Sequence, residues 1–194
     1  YTGGKMHVPT ISTAKSVELI KEAKSKGLNV TCSVAIHNLI LTDTVLKDFD
    51  TRFKVNPPLR DVEHQQALVN GVLNGTIDVI TSDHCAIDIE HKKMEFDMAK
   101  DGTIGLESAF GALLEILPLD VVVDKLQAAK AIFLNNSNEI KVGSKADLTL
   151  FNPSKEWTFT KADILSKSKN SAFLNRKMKG FVYGIYHNNK LIVK

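Results

Sequence analysis

Ile77-Asp-Val-Ile-Thr-Ser-Asp-His84 is the stretch on which the fold turns. Ile77, Val79 and Ile80 spell a short buried strand, and Asp83 stands where that strand runs out into a loop. In a (β/α)8 barrel the chemistry sits at the C-terminal ends of apolar parallel strands, which makes Asp83 a candidate functional carboxylate. Asp also caps turns and helix starts, and spacing leaves both readings open.

Working upstream, Asn29 to Ile36 is rich in β-branched residues and reads as a strand, and Lys5 to Pro9 as another. Between them Ala14, Val17, Ile20 and Ala23 fall near helical spacing, so the pattern predicts a helix over Thr13 to Lys26. Ser12 or Thr13 suits its start and Gly27 its stop. A second helix is predicted over Val62 to Leu73, ended by Asn74-Gly75, and the third strand over Asp78 to Thr81. This βαβαβ order implies a parallel sheet with right-handed crossovers.

Downstream, helices are predicted over Leu106 to Leu117 and Leu119 to Leu134, divided by Pro118. Beyond Asn135 the segments become short and strand-like: Ala146 to Phe151, Glu156 to Phe159, Phe181 to Tyr186 and Leu191 to Val193, with a hairpin turn at His187-Asn-Asn-Lys190. The expected organisation is an α/β part over residues 1–138 and a small β-rich part over 139–194.

Composition excludes several classes. The chain is 43% hydrophobic and 24% charged, and its net charge of +3 is dispersed, which argues against a nucleic-acid partner. Lysines are dense from Lys155 to Lys179, but Ser, Asn and Phe interleave them, as on a solvated surface. No apolar run approaches a membrane span, and the start lacks a signal-peptide pattern. Cys32 and Cys85 lie in separate segments without metal-ligand spacing, so a reduced, cytoplasmic protein is expected. Tyr1 lies in what reads as the lead-in to a strand, and a piece of a longer polypeptide is expected.

With these elements in place, several motifs resemble the dihydroorotase family of the amidohydrolase superfamily. They are Val30-Thr…Leu41-Thr-Asp43, Val55-Asn-Pro-Pro-Leu-Arg60, Gly75-Thr-Ile-Asp…Ser82-Asp-His84 and Gly105-Leu-Glu-Ser-Ala-Phe110. Gly143-Ser-Lys-Ala-Asp-Leu-Thr-Leu-Phe151 and Ser166-Lys-Ser-Lys-Asn-Ser-Ala-Phe173 extend the likeness to the C-terminal region. The resemblance implies the second half of such an enzyme: the last three strands and helices of a TIM-type barrel, then part of a small β domain.

The family reaction interconverts dihydroorotate and N-carbamoyl-aspartate in pyrimidine synthesis, with zinc or another divalent metal activating water. By resemblance Asp83 is both metal ligand and catalytic acid/base, in a pocket shared with the Asn-Pro-Pro turn. Asn56 faces the substrate, and Arg60, the backbone at Gly102 and His37 are further substrate-binding candidates. An Arg suits a dicarboxylate through bidentate hydrogen bonds, although Arg60 could equally pair with Asp61 or Glu63. His37 and His84 could each be hydrogen-bonded structural residues instead of pocket-lining ones.

Two departures stand against the pattern. Thr10 occupies a place where the family has a metal-binding His, and a hydroxyl is a poor zinc ligand beside imidazole or carboxylate. Ile87 replaces the second His of the Asp-His-Ala-Pro-His motif. His7, three residues before Thr10, is expected on the opposite strand face. The remaining family ligands belong to the first half of the barrel, so Asp83 is the one usual ligand expected here. No turnover is expected from this chain alone.

A metal-free, non-catalytic homologue is the alternative, for instance a structural partner of aspartate transcarbamoylase. A relative acting on hydantoin- or allantoin-type rings is another. Because three strands cannot close a barrel, the chain is expected to bind the missing N-terminal half or to self-associate, a homodimer being one form.

Overall fold

The computed structural model describes residues 3–134 and 140–193. Tyr1 and the expected boundary at residue 138 lie outside the described residues. The first part is a three-stranded parallel sheet in the order β1 (Met6–Val8), β2 (Val30–Ala35), β3 (Val79–Thr81). Helices α1 (Ala14–Ser25) and α3 (Val62–Leu73) make the two crossovers. Thr13 caps α1 by accepting the Ser16 N–H at 3.1 Å, and such a cap is worth about 1 kcal/mol. Asp61 does the same for α3 by accepting the His64 N–H.

Alternation along β2 explains its packing. Val30, Cys32 and Val34 turn to the helix layer and join one hydrophobic cluster with Val17, Ile20, Leu68 and Val72. Below β3, Asp78 accepts the Cys32 N–H and two hydrogen bonds from Lys24, which also donates to the Thr76 carbonyl. The N-terminal end of the sheet is thereby pinned to α1.

Two short helices, α2 (Ile36–Ile40) and α4 (Ala109–Leu113), carry the chain over the sheet, and α5 runs over Leu119–Leu134. The helix expected from Leu106 is shorter than the periodicity indicated. Residues 106–108 form a turn instead, because Glu107 and the flanking backbone are drawn into tertiary hydrogen bonds described below.

The second sheet is antiparallel, β4 (Leu148–Thr158), β5 (Lys177–His187), β6 (Lys190–Val193). What read as two strands, Ala146 to Phe151 and Glu156 to Phe159, is one strand with a register shift between Asn152 and Glu156. Pro153 sits in that interval, where it removes no ladder hydrogen bond. Asn188 and Asn189, with φ of 47° and 59°, form the tight turn between β5 and β6. Phe159, Ile164, Phe173 and Met178 belong to the same apolar cluster as Ile36 and Leu113. The two sheets thus share a core.

Candidate active site

β3 ends at Thr81 and the chain turns sharply at Asp83, whose φ of 44° lies in the left-handed region that Asp tolerates better than most residues. No helix starts there, and the carboxylate makes no hydrogen bond among the described residues, so the capping alternative falls away. Burial holds the Asp83 carboxyl above its ordinary range. Its neighbour is His37 on α2, with Nε2 at 3.8 Å from Oδ2. His37 is fully buried, neither ring nitrogen has a hydrogen-bond partner, and burial pushes its pKa down to about 4. At neutral pH the imidazole is uncharged, so this approach is a dipole facing a carboxylate and not an ion pair.

The next residue links this pair to the Asn-Pro-Pro turn. Asn38 is buried and donates from Nδ2 to the Pro58 carbonyl at 3.3 Å, while its Oδ1 lacks a partner. Asn56 is exposed at the rim of a cavity of about 330 Å³ lined by Phe53, Val55, Leu59, Phe96 and Asp101. Asp83 is not among the residues lining that cavity. Neighbouring residues of α2 reach toward both: His37 approaches Asp83 and Asn38 bonds the turn at Pro58.

Arg60 is half-buried, and its Nε is buried without a hydrogen-bond partner. It makes no ion pair with Asp61 or Glu63 among the described residues, since Asp61 is committed to the α3 cap. Gly102 is buried with φ of 135°, and a Cβ there would meet the Cys85 side chain at 2.9 Å. Its N–H donates to the Lys54 carbonyl at 2.9 Å, two residues before Asn56. Buried Lys92 adds bonds to the Thr51 and Lys54 carbonyls, and burial lowers its ammonium pKa. Gly102 is therefore fastened to the segment leading into the Asn-Pro-Pro turn and packs closely against Cys85 in the loop after Asp83.

His7 is placed differently from expectation. The strand stops at Val8 and Thr10 has φ of 51°, so the alternation does not extend from one to the other. The His7 ring meets the Thr31 and Ser33 hydroxyls at 2.8 and 3.3 Å, and the Thr10 N–H donates to the same Ser33 hydroxyl. His7 is occupied by strand neighbours. The described residues contain no group of three or more His, Cys, Asp or Glu that could hold a metal. Asp83 beside a single neutral imidazole does not make the three-ligand set that catalytic zinc needs.

His84 is hydrogen-bonded, as one of the two readings for it had it, but its partners escaped the sequence reading. His84 accepts the Leu106 N–H at Nδ1 and faces the Ser166 hydroxyl with Nε2, each at 3.2 Å. Glu107 accepts the Leu165 N–H, and its second oxygen is buried without a hydrogen bond, 3.7 Å from His84. Asn170 and Ser171 are buried and Lys167 is exposed, while Lys169 donates from Nζ to the Ile164 carbonyl. The solvated surface expected for Lys155 to Lys179 holds at Lys167 and fails at Asn170 and Ser171. The alternation Lys-Ser-Lys-Asn was the available signal.

The solved structures that share this arrangement of a parallel and an antiparallel sheet are cyclic amidohydrolases. L-hydantoinase (dihydropyrimidinase) from Arthrobacter aurescens superposes with a TM-score of 0.90 at 25% identity, over 99% of this chain and 45% of that one. A D-hydantoinase gives 0.83 at 26% identity, and dihydropyrimidinase from Brevibacillus agri 0.84 at 25%, with the same coverage. Within that class, the chain is a dihydroorotase homologue. It is 40% identical to the dihydroorotase of Caldanaerobacter subterraneus over 187 residues, which is 93% of this chain and 43% of that enzyme. The dihydroorotase of Geotalea daltonii is 38% identical over 93% of this chain and 44% of the enzyme. The chain thus spans less than half the length of the curated relatives it matches. No protein-family model matches it.

Proposed function

We propose that this chain supplies the acid/base half of a dihydroorotase-type active site, its parallel sheet forming the last three strands of a (β/α)8 barrel. The observation that carries the reading is the Asp83 carboxylate: half-buried, without a hydrogen bond among the described residues, and desolvated at a strand end beside neutral His37. Desolvation moves a carboxylate toward the pKa that general acid/base work requires. In the hydrolytic direction water attacks the ring carbonyl carbon and Asp83 takes a proton from that water. As the C–N bond breaks, Asp83 passes the proton to the departing nitrogen. Ring closure is the reverse.

Asn56 and the backbone at Gly102 hold the ring, His37 lines the pocket floor, and Arg60 receives a substrate carboxylate. Zinc is the metal that the family resemblance implies, but the donors in this chain do not form its site, so no step is assigned to it here. The chain alone is inactive and works with an N-terminal half-barrel or a second copy. Exposed Met6 on the β1 edge and Leu191 to Val193 on β6 suit such association. A cytoplasmic setting fits both free cysteines. No helix among the described residues is long and apolar enough to cross a membrane.

A chimera tests the reading: this chain replaces the matching segment of the Caldanaerobacter subterraneus dihydroorotase, and carbamoyl-aspartate cyclisation is measured. Turnover that Asp83→Asn lowers by about 10²–10⁴-fold supports it. A folded chimera with no turnover, even with Thr10→His, overturns it.

Thr10 and the lack of a three-donor group favour a second reading, a metal-free structural homologue such as a partner of aspartate transcarbamoylase. That reading predicts a silent chimera revived by Thr10→His. The hydantoinase neighbours support a third substrate class, hydantoin or allantoin rings, and the same chimera assayed on those rings separates it.

A further inference from the structure

Residues 164–171 leave the second sheet and lie across both loops that frame Asp83. Their hydrogen bonds are specific. Because the Leu106 N–H is donated to Nδ1 of His84, the ring N–H is at Nε2 and is donated to the Ser166 hydroxyl. The Ser168 hydroxyl lies against the Ile87 carbonyl and the Asn170 side-chain oxygen, and donates its single proton to one of them. Asn170 donates from Nδ2 to the Gly102 carbonyl at 3.3 Å and accepts the Ile104 N–H at its own carbonyl at 2.8 Å. Ser171 donates to the Ile104 carbonyl at 2.6 Å, and the Ala172 N–H reaches the Thr103 hydroxyl at 2.8 Å.

These bonds reach two segments that also meet directly, through the bridge of His84 with Thr103, the Cys85 N–H to the Thr103 carbonyl and the Leu106 N–H to His84 Nδ1. A surface strap of ordinary polar sequence would leave its Ser and Asn side chains in water. Here Asn170 and Ser171 are buried and aimed at active-loop backbone.

We propose that Ser166, Ser168 and Asn170 are positioning residues: a strap from the small β part that holds the Asp83–Ile87 and Gly102–Glu107 loops in register with each other. The catalytic consequence rests on the acid/base reading of Asp83, but the mechanical one does not. Without the strap the two loops keep only part of what joins them, the bonds at Thr103 and the Leu106 N–H to His84, and the separation of Asp83 from the Gly102 backbone is less firmly fixed.

Hydrogen exchange on the full chain, read by mass spectrometry with residue resolution, tests it. Asn170→Ala is expected to accelerate the Cys85 and Gly102 amides by about tenfold, the effect of losing one hydrogen bond of ordinary strength. The β2 amides are expected to stay unchanged. Ser166→Ala is expected to loosen Cys85 in the same way, Ser166→Thr to restore it, and exposed Lys167→Ala to change nothing. Alkylation of Cys85, the exposed thiol, is expected to follow the same order, buried Cys32 remaining inert. Unchanged loop amides in Asn170→Ala and Ser166→Ala overturn the proposal, as does acceleration spread equally over β2. In the chimera, loosened loops with kcat/KM down at least about tenfold extend the strap to catalysis. Loosened loops in a chimera inactive from the start leave the strap standing and remove only the acid/base reading.

Discussion

Nε2 of His37 lies 3.8 Å from Oδ2 of Asp83, and burial drives both groups toward their neutral forms. A fully buried imidazole without hydrogen-bond partners is costly to charge, and a half-buried carboxylate is costly to ionise. The site therefore couples folding to pH at two places, with opposite signs.

For His37 the folded value of about 4 lies below the ordinary 6.5. The unfolded chain takes up the proton first, so stability is fully present above 6.5 and is lost as pH falls toward 4. The loss amounts to about 3 kcal/mol for a shift of this size. Urea unfolding at pH 7.5 and 4.5 measures it. His37→Leu, similar in volume and untitratable, is expected to flatten the difference, and an equal difference in the variant refutes the assignment.

Asp83 works the other way. Its folded pKa lies above the ordinary 3.8, so the folded state holds the proton more tightly and ionisation weakens folding as pH rises through that window. Asp83→Asn keeps the tolerance for positive φ and is expected to raise Tm at pH 7 but not at pH 3. A variant less stable at pH 7 would show that the carboxylate is stabilised by a partner.

Gly102 requires the absence of a side chain. Its φ of 135° disfavours any L-residue, and a Cβ would press on Cys85 at 2.9 Å. Gly102→Ala is expected to cost at least about 1–3 kcal/mol. Adding Cys85→Gly recovers the steric part only. Calorimetry on the single and double variants separates the two contributions.

Lys24 and Asp78 lie at the opposite end of the sheet, away from the candidate chemistry. Lys24→Met leaves a partly buried carboxylate with only the Cys32 N–H and is expected to destabilise by about 1–3 kcal/mol. The loop exchange around Asp83 stays unchanged. A double-mutant cycle with Asp78→Asn isolates the pair.

Much of this was legible before folding. The helices at Val62–Leu73 and Leu119–Leu134 begin and end where periodicity and turn residues placed them. β3 and the exit at Asp83 were visible because apolar β-branched residues stop abruptly at Thr81. The 106–108 turn was not visible, since Leu106 and Glu107 satisfy helical spacing and yet serve His84 and Leu165. His7 was misplaced because a positive φ at Thr10 cannot be read from strand alternation.

The chain's own order of residues determined its elements, their parallel succession and the kinship with dihydroorotases, because those depend on spacing within a turn or a strand. Burial of His37, the cavity at the Asn-Pro-Pro turn and the strap over His84 were decided by tertiary structure. Desolvation and hydrogen bonding at those places come from partners far along the chain: Ser166 meets His84 across 82 positions and Asn170 meets Gly102 across 68. Local periodicity carries no information about which distant backbone will arrive to remove the water.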